Sequence, residues 1–394
     1  MMSSNTQTYF RKLLFNAGEK MVITFNKKIF FYTTSQEGSA EGAYFQDLII
    51  NLAEGFQYLG VQYYSSNNYW KLSPEDDQCL LQCDPHVTHQ DCDVVVLERQ
   101  WVEENGSLPK DLFNPCRQYI TVYLDCADGL KTFSWLPEFR QFDFIFKTHY
   151  NRNIRCPSNL HPWAFGLSSR VIQELSLDIP FAQKKRCLLV NFRHRKFSHS
   201  LRRFVGKTFI LQVQDFLQID TSNDDLTIPP HNPYHLLRWT QTGRRHNPNY
   251  YKRLTESVAC ACFGGYFLAP DFTDYNDRTS YFSMKLISRL GLKTNRISQW
   301  DSWRFWESLA AGCVTFHVDF EKYGFELPVL PKNWEHYIGI DLDNIQESID
   351  KIAEQPEVLE KISIQGREWV LQNYSPKAVA LRFMEKIFKT EITV

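Results

Sequence analysis

Nowhere in these 394 residues does an apolar run reach the roughly 18–20 residues a membrane helix needs. The runs "KKIFFYTT" and "DLIINLA" are too short and fit globular elements. The first stretch, "MMSSNTQTYFRKLLFNAGEK", has polar residues where a signal peptide would need an unbroken apolar core, so no secretion signal is expected. An excess of charge is also missing. With 44 basic and 45 acidic residues the formal net charge is −1, which leaves no global field to draw nucleic acid or an anionic bilayer. Nucleic acid is therefore not expected as a partner, and any anion site must be local. Ten cysteines are too few over this length for a disulfide framework. They suit a reducing cytoplasm, with a peripheral contact at the inner membrane surface as the remaining option. Seventeen glycines and 17 prolines give no bias toward a disordered tail.

Several motifs are absent too. No G-x-G-x-x-G, P-loop or nucleophile elbow stands at a strand-to-helix turn, which argues against NAD, ATP and acyl-transfer chemistry, and no cofactor is expected. Cys79, Cys83, His86, His89 and Cys92 offer metal-ligand types, but their spacings match no standard zinc pattern. They leave a structural zinc and a loop of packed or exposed side chains both open, and no catalytic metal is expected.

What is present is a rhythm of short strands. "KKIFFYT", "CDVVVL", "YITVYL" and "FDFIFK" each end in polar or glycine-containing turns, and "AYFQDLIINLAEGFQYLG" between the first two carries apolar residues at helical spacing. After "CPSNLHPWAFGLSS" the pattern restarts with "KKRCLLVNF", "VACACFGGYF" and "CVTFHV" as strands, and it closes in three helical segments. The reading is an α/β protein of two Rossmann-like domains, residues 1–165 and 166–394, each with its own core, whose parallel sheets face a cleft. The C-terminal helices would close the second domain, the last one free to return to the first.

"WDSWRFWESLAAGCVTFHVD" holds one arginine and one glutamate among tryptophans and small residues. On a helix from Asp301 or Ser302, Trp303, Trp306, Ala310 and Cys313 form one buried face, and Arg304 and Glu307 share another. An intrahelical ion pair is the plain reading. The flanking tryptophans favour a walled, partly dry pocket in which a carboxylate accepts hydrogen bonds and a guanidinium clasps a phosphate.

"SWRFWESLAAGC" resembles the donor-binding signature of GT-B glycosyltransferases, most of all the exostosin-like and group 1 type, with Ser302, Arg304, Glu307 and Gly312 in the family's order. The resemblance extends to "YYKRLTESVACACFGGYF" and to the closing helices, and it is architectural over the first half. It implies that Glu307 receives the ribose hydroxyls of a nucleotide sugar and that Arg304 and the helix N-terminus, with Ser302, face its diphosphate. Gly264 and Gly265, after the strand before that helix, join this donor side. The implied partners are a nucleotide-sugar donor and a saccharide or glycoconjugate acceptor. A polyol-phosphate transferase of the same fold and a non-catalytic saccharide- or nucleotide-binding protein are the rivals.

Three further groups fit that reading. Between Lys184 and Lys207 nine cations stand with no acidic residue, and Arg193, Arg195 and Lys196 follow the strand "CLLVNF" at the edge where a leaving diphosphate would lie. Arg202 and Arg203 read as solvated. Glu98, Asp125 and His149 each end a first-domain strand, and of these His149 and Asp125 are the preferred candidates for the base that takes the acceptor proton. Glu37 and Gly38, in "SQEGSAEG" after the first strand, suit an acceptor-side loop.

Overall fold

Alternating strands and helices lead to two parallel sheets. The computed structural model describes residues 26–35, 40–43, 45–127, 136–175, 179–192, 199–270, 272 and 279–388. Glu37, Gly38, Arg193, Arg195 and Lys196 lie outside the described residues.

The first sheet is built from β1 (Lys28–Tyr32), β2 (Gln62–Ser65), β5 (Val94–Glu98), β6 (Ile120–Asp125), β7 (Phe144–Lys147) and β8 (Leu160–Pro162), and a small antiparallel pair, β3 (Tyr69–Lys71) with β4 (Cys79–Leu81), stands apart. Its order is β2-β1-β5-β6-β7-β8, all parallel. Helix α1 (Asp47–Leu59) follows β1, and α2 (Arg99–Asn105) follows β5. The central strands β5 and β6 are buried on both faces, as parallel strands covered by helices must be, which is why β5 reads as an unbroken "VVVLE".

A linker carrying α3 (Ser169–Glu174) leads into the second sheet, β10-β9-β11-β14-β15, also all parallel: β9 (Lys185–Leu189), β10 (Gln218–Asp220), β11 (Ser257–Ala261), β14 (Val314–Val318) and β15 (Ile338–Ile340). Helices α4 (Ser200–Thr208) and α5 (Ile210–Val213) follow β9, while α6 (Pro233–Gln241) and α7 (Pro248–Glu256) precede β11. The insert after β11 contains β12 (Tyr266–Phe267), α8 (Thr279–Leu290) and β13 (Ile297–Ser298), and β13 turns back antiparallel on β12. Helix α9 (Trp303–Ala310) then enters β14, and α10 (Ile345–Glu354), α11 (Val358–Tyr374) and α12 (Pro376–Phe388) end the chain. Among the described residues no helix is long and apolar enough to cross a membrane.

The expectation of two separate cores needs correction. One apolar cluster runs from Ile29 in β1 to Ile387 in α12, through Trp163 and Phe165 of the linker, while a second covers the outer face of the first sheet. The joint is helix on helix: α12 lies against α1 so closely that a Cβ on Gly55 would stand 2.1 Å from the Pro376 carbonyl oxygen. Only glycine permits that approach.

Each sheet reverses its strand order once, between β1 and β5 and between β9 and β11. Ligands of doubly wound sheets sit beyond the strand carboxyl ends at such reversals.

Candidate active site

Helix α9 starts at the second reversal. Ser302 is its N-cap in extended conformation, and among the described residues its buried hydroxyl has no hydrogen-bond partner. The first amides of a helix carry positive dipole, so this end favours an anion. Arg304 reaches the segment after β9: Nε donates to Asn191 Oδ1 at 2.9 Å and Nη2 to the Asn191 carbonyl at 3.3 Å. Arg193, Arg195 and Lys196, which follow Asn191 in sequence, lie outside the described residues.

Glu307 is buried and points elsewhere. Its Oε2 accepts from the Tyr250 hydroxyl at 2.9 Å. Burial raises its carboxyl above the usual range, against the pull of Tyr250, Arg170 and Arg304. The intrahelical ion pair therefore gives way to separate partners, Asn191 for the arginine and Tyr250 for the glutamate. Of the anticipated buried face, Trp306, Ala310 and Cys313 are in the core, but the helix ends at Ala310 and Cys313 lies past the turn at Gly312. Trp303 sits between the halves, its ring 5.5 Å from Phe45 and 5.4 Å from Phe165.

Gly264 and Gly265 follow β11 at the same edge. A Cβ on Gly265, at φ 83°, would stand 1.9 Å from the Ser298 carbonyl oxygen, and one on Gly264 2.8 Å from that of Gln299. Close backbone packing under β13 thus accounts for both glycines.

From the first half, His149 stands just past β7 with left-handed backbone, φ 59°. Its Nδ1 accepts the Asp301 backbone N–H at 3.0 Å, so the proton of the neutral ring belongs on Nε2. His149 therefore offers a donor where a base was expected. Asp125 is fully buried, 3.2 Å from the Lys147 ammonium and bonded to the Ala127 N–H at 2.9 Å. That geometry fits a structural ion pair better than a base reaching substrate.

Two acids escaped the sequence reading. Asp301 bridges the halves, accepting from Phe165 N–H at 3.2 Å and Trp306 Nε1 at 2.8 Å, and burial pushes its carboxyl up to about 6. Asp47 opens α1 beside the first reversal, close enough to Arg170, Glu307 and Trp303 to be influenced by each. Burial raises it to about 7, with Arg170 opposing and Glu307 reinforcing. A first helical residue after the loop of a doubly wound first strand was the signal that could have found it.

Other expectations change with the geometry. Lys184 is buried and donates to the carbonyls of Ala311 and Gly312 at 2.7 and 2.8 Å, capping α9. Arg202 Nε donates to the Phe263 carbonyl at 2.9 Å and Arg203 Nη2 to that of Ser288 at 2.6 Å, so neither is merely solvated. The cysteine and histidine set disperses: Cys83 is exposed, Cys92 is in the outer core, and His89 Nδ1 pairs with the Tyr32 hydroxyl at 2.9 Å.

Glu98, the third strand-end candidate, accepts the Ile49 N–H at 3.3 Å, and burial raises it to about 8. With Asp47 and Glu54 near 7 and Asp301 near 6, the folded chain holds these protons more tightly than the unfolded chain does. Their stabilising contribution is full below about pH 4 and is lost as pH rises through about 6 to 8. The unfolding free energy from urea titration should fall over that window, and Glu98→Gln should flatten the fall by more than about 1 kcal/mol. An unchanged slope in Glu98→Gln would remove Glu98 from the account.

Two doubly wound parallel sheets whose strand reversals face one cleft, with the final helix crossing between halves, are the arrangement called GT-B. No protein-family model matches the sequence, and no curated protein does. Solved structures of similar fold include an alpha-glucosyltransferase in complex with UDP-glucose and DNA containing an abasic site (11 % identity, TM-score 0.46, 92 % of this chain and 99 % of that one). A glycosyltransferase from Rickettsia africae (11 %, 0.41, 93 % and 100 %) and Anabaena Alr3699/HepE in complex with UDP (10 %, 0.39, 92 % and 100 %) are others. At such identities residue roles do not transfer. The exclusion of nucleic acid drawn from net charge is withdrawn, because the first of these proteins is seen with DNA. A neutral total says nothing about a local surface.

Proposed function

We propose that the chain is a glycosyltransferase: residues 166–394 hold a nucleotide diphosphate sugar and residues 1–165 present a hydroxyl acceptor, a saccharide or glycoconjugate. The observation that carries this reading is the meeting of Ser302, Arg304 and the α9 N-terminus at the second sheet's reversal, across the junction from Asp47 and His149. In it, Arg304 and the helix amides balance charge on the departing diphosphate, joined by Arg193, Arg195 and Lys196. Glu307 receives the ribose hydroxyls, exchanging its bond with Tyr250. Asp47 takes the acceptor proton, its raised carboxyl suited to giving and taking protons near neutrality. His149 donates from Nε2 to the sugar or leaving group. The transferred unit is a hexose or pentose, and cations with a helix end do the work a divalent ion does elsewhere.

Incubation with UDP-glucose and other nucleotide sugars tests this. Slow release of nucleoside diphosphate is expected, accelerated by the right acceptor from a panel of saccharides, glycoconjugates and duplex DNA. Calorimetry showing no affinity for any nucleoside diphosphate would overturn the reading. Affinity with no release under any acceptor would make the chain a binding protein.

A further inference from the structure

Helix α8 (Thr279–Leu290) is built inside out. Phe282, Leu286 and Leu290 recur every four residues and so share one face, and they stand out from the molecule at 76, 57 and 62 % exposure. Leu292, just past the left-handed Gly291 that ends the helix, is 50 % exposed. On the opposite side Ser288 is fully buried, and Arg203 of α4 donates to its carbonyl at 2.6 Å and to its hydroxyl at 3.3 Å. A helix folded only to cover its own core would reverse these positions. Single exposed leucines are ordinary, but four large apolar side chains in one short stretch mark a surface that meets something else.

Charge indicates what it meets. From Thr279 to Trp300 the chain has four cations and no acidic residue, and the neighbouring α4 belongs to a run from Lys184 to Lys207 that has none either. Arg203 joins the two segments at Ser288, and the Phe204 ring centre lies 6.0 Å from the Lys293 ammonium. Arg289 on α8 and Lys207, one turn on from Arg203 in α4, are both exposed. Among the described residues Asp343 is the acid that pairs on this side, and Lys293 and Lys322 both hold it. An apolar ridge rimmed by cations suits a surface with an apolar interior and anionic heads, the setting of interfacial helices. A second copy of the chain would set these cations against one another, so the same charge disfavours self-association.

We propose that the α8 face docks the protein onto a bilayer containing anionic phospholipid. Phe282, Leu286, Leu290 and Leu292 enter the boundary between headgroups and acyl chains, while Arg289 and Lys207 stay at the level of the phosphates. The attachment is reversible, because burying a few side chains to that depth is far from the commitment of a membrane-crossing helix. The insert that carries α8 runs through β13 into Trp300 and the start of α9, so the docked face belongs to residues 166–394. None of its residues is among those assigned to the transfer.

The test mixes full-length protein with extruded vesicles and floats them on a sucrose gradient. Vesicles of phosphatidylcholine with phosphatidylglycerol are expected to carry the protein upward, those of phosphatidylcholine alone should carry far less, and added salt should release it. Phe282→Ser combined with Leu286→Ser should weaken binding to the anionic vesicles by on the order of 100-fold. Lys207→Glu combined with Arg289→Glu should weaken it by on the order of 10-fold. All four side chains are exposed, so circular dichroism and Tm should match the parent. No flotation, flotation that ignores phosphatidylglycerol, or full binding by the Phe282→Ser, Leu286→Ser variant would overturn the proposal. A dimer in light scattering that this variant splits would also overturn it, giving the face to a second copy. The readout is vesicle binding, so it stands or falls separately from nucleotide-sugar turnover.

Discussion

Arg304→Ala is expected to lower sugar transfer by about 100- to 1,000-fold while the chain stays folded, the usual cost of one preorganised donor facing charge that builds in a transition state. The guanidinium is already held in place: Asn191 fixes it from its side chain and its carbonyl, at the end of β9 where the second sheet reverses. Little reorganisation is needed when a diphosphate departs. Arg304→Lys keeps the charge but cannot fork between the two Asn191 oxygens, so it should recover only part of the rate. Asn191→Ala, leaving the arginine charged but unsteered, should cost less than Arg304→Ala. The ligand comparison is decisive. Affinity for UDP should fall in Arg304→Ala, and affinity for uridine, which has no phosphate, should barely change. An equal loss for both would place the arginine away from the diphosphate.

The architecture was largely legible, because parallel strands buried on both faces give apolar runs that need no partner to be recognised. "VVVLE" and "ITVYLD" are such runs, and both are strands. The start of α9 was legible for a similar reason, since Trp306 and Ala310 at helical spacing mark a buried face. What sequence could not show was which charges meet in space. The basic run from Lys184 to Lys207 has no acid within it, yet Lys184 finds the carbonyls at the end of α9 and Lys185 finds Glu256 at 2.7 Å. Periodicity likewise places Arg304 near Glu307 on one helix, but Asn191 and Tyr250 from distant segments compete and win. Glu174, His235 and His246 show the same limit. Each is an unremarkable polar residue in its own segment, and only the fold brings His235 Nδ1 within 3.0 Å of His246 Nε2 and Glu174 Oε1 within 3.7 Å of both.

Asp47→Asn should lower turnover by about 100-fold or more while donor affinity is kept, because a positioned general base contributes roughly that much. The acid is buried at the first turn of α1, and its carboxyl, raised to about 7, is protonated over part of the working range. A base must be ionised to act, so kcat/KM of the wild type should climb as pH rises through about 7, and Asp47→Asn should lose that limb. Stability should respond in the opposite sense, since a buried carboxylate that resists ionisation is no loss to the fold at neutral pH; the variant should melt no lower than the parent. Asp125→Ala gives the contrast. Removing the carboxylate 3.2 Å from the buried Lys147 ammonium should cost about 3 kcal/mol of stability, the penalty for breaking a buried pair from one side. Lys147→Met in the Asp125→Ala background should restore much of that stability by withdrawing the charge. If Asp125→Ala instead keeps its Tm and loses turnover with the pH limb, and Asp47→Asn keeps both, the base is Asp125 and the acid in the first turn of α1 has no part in the transfer.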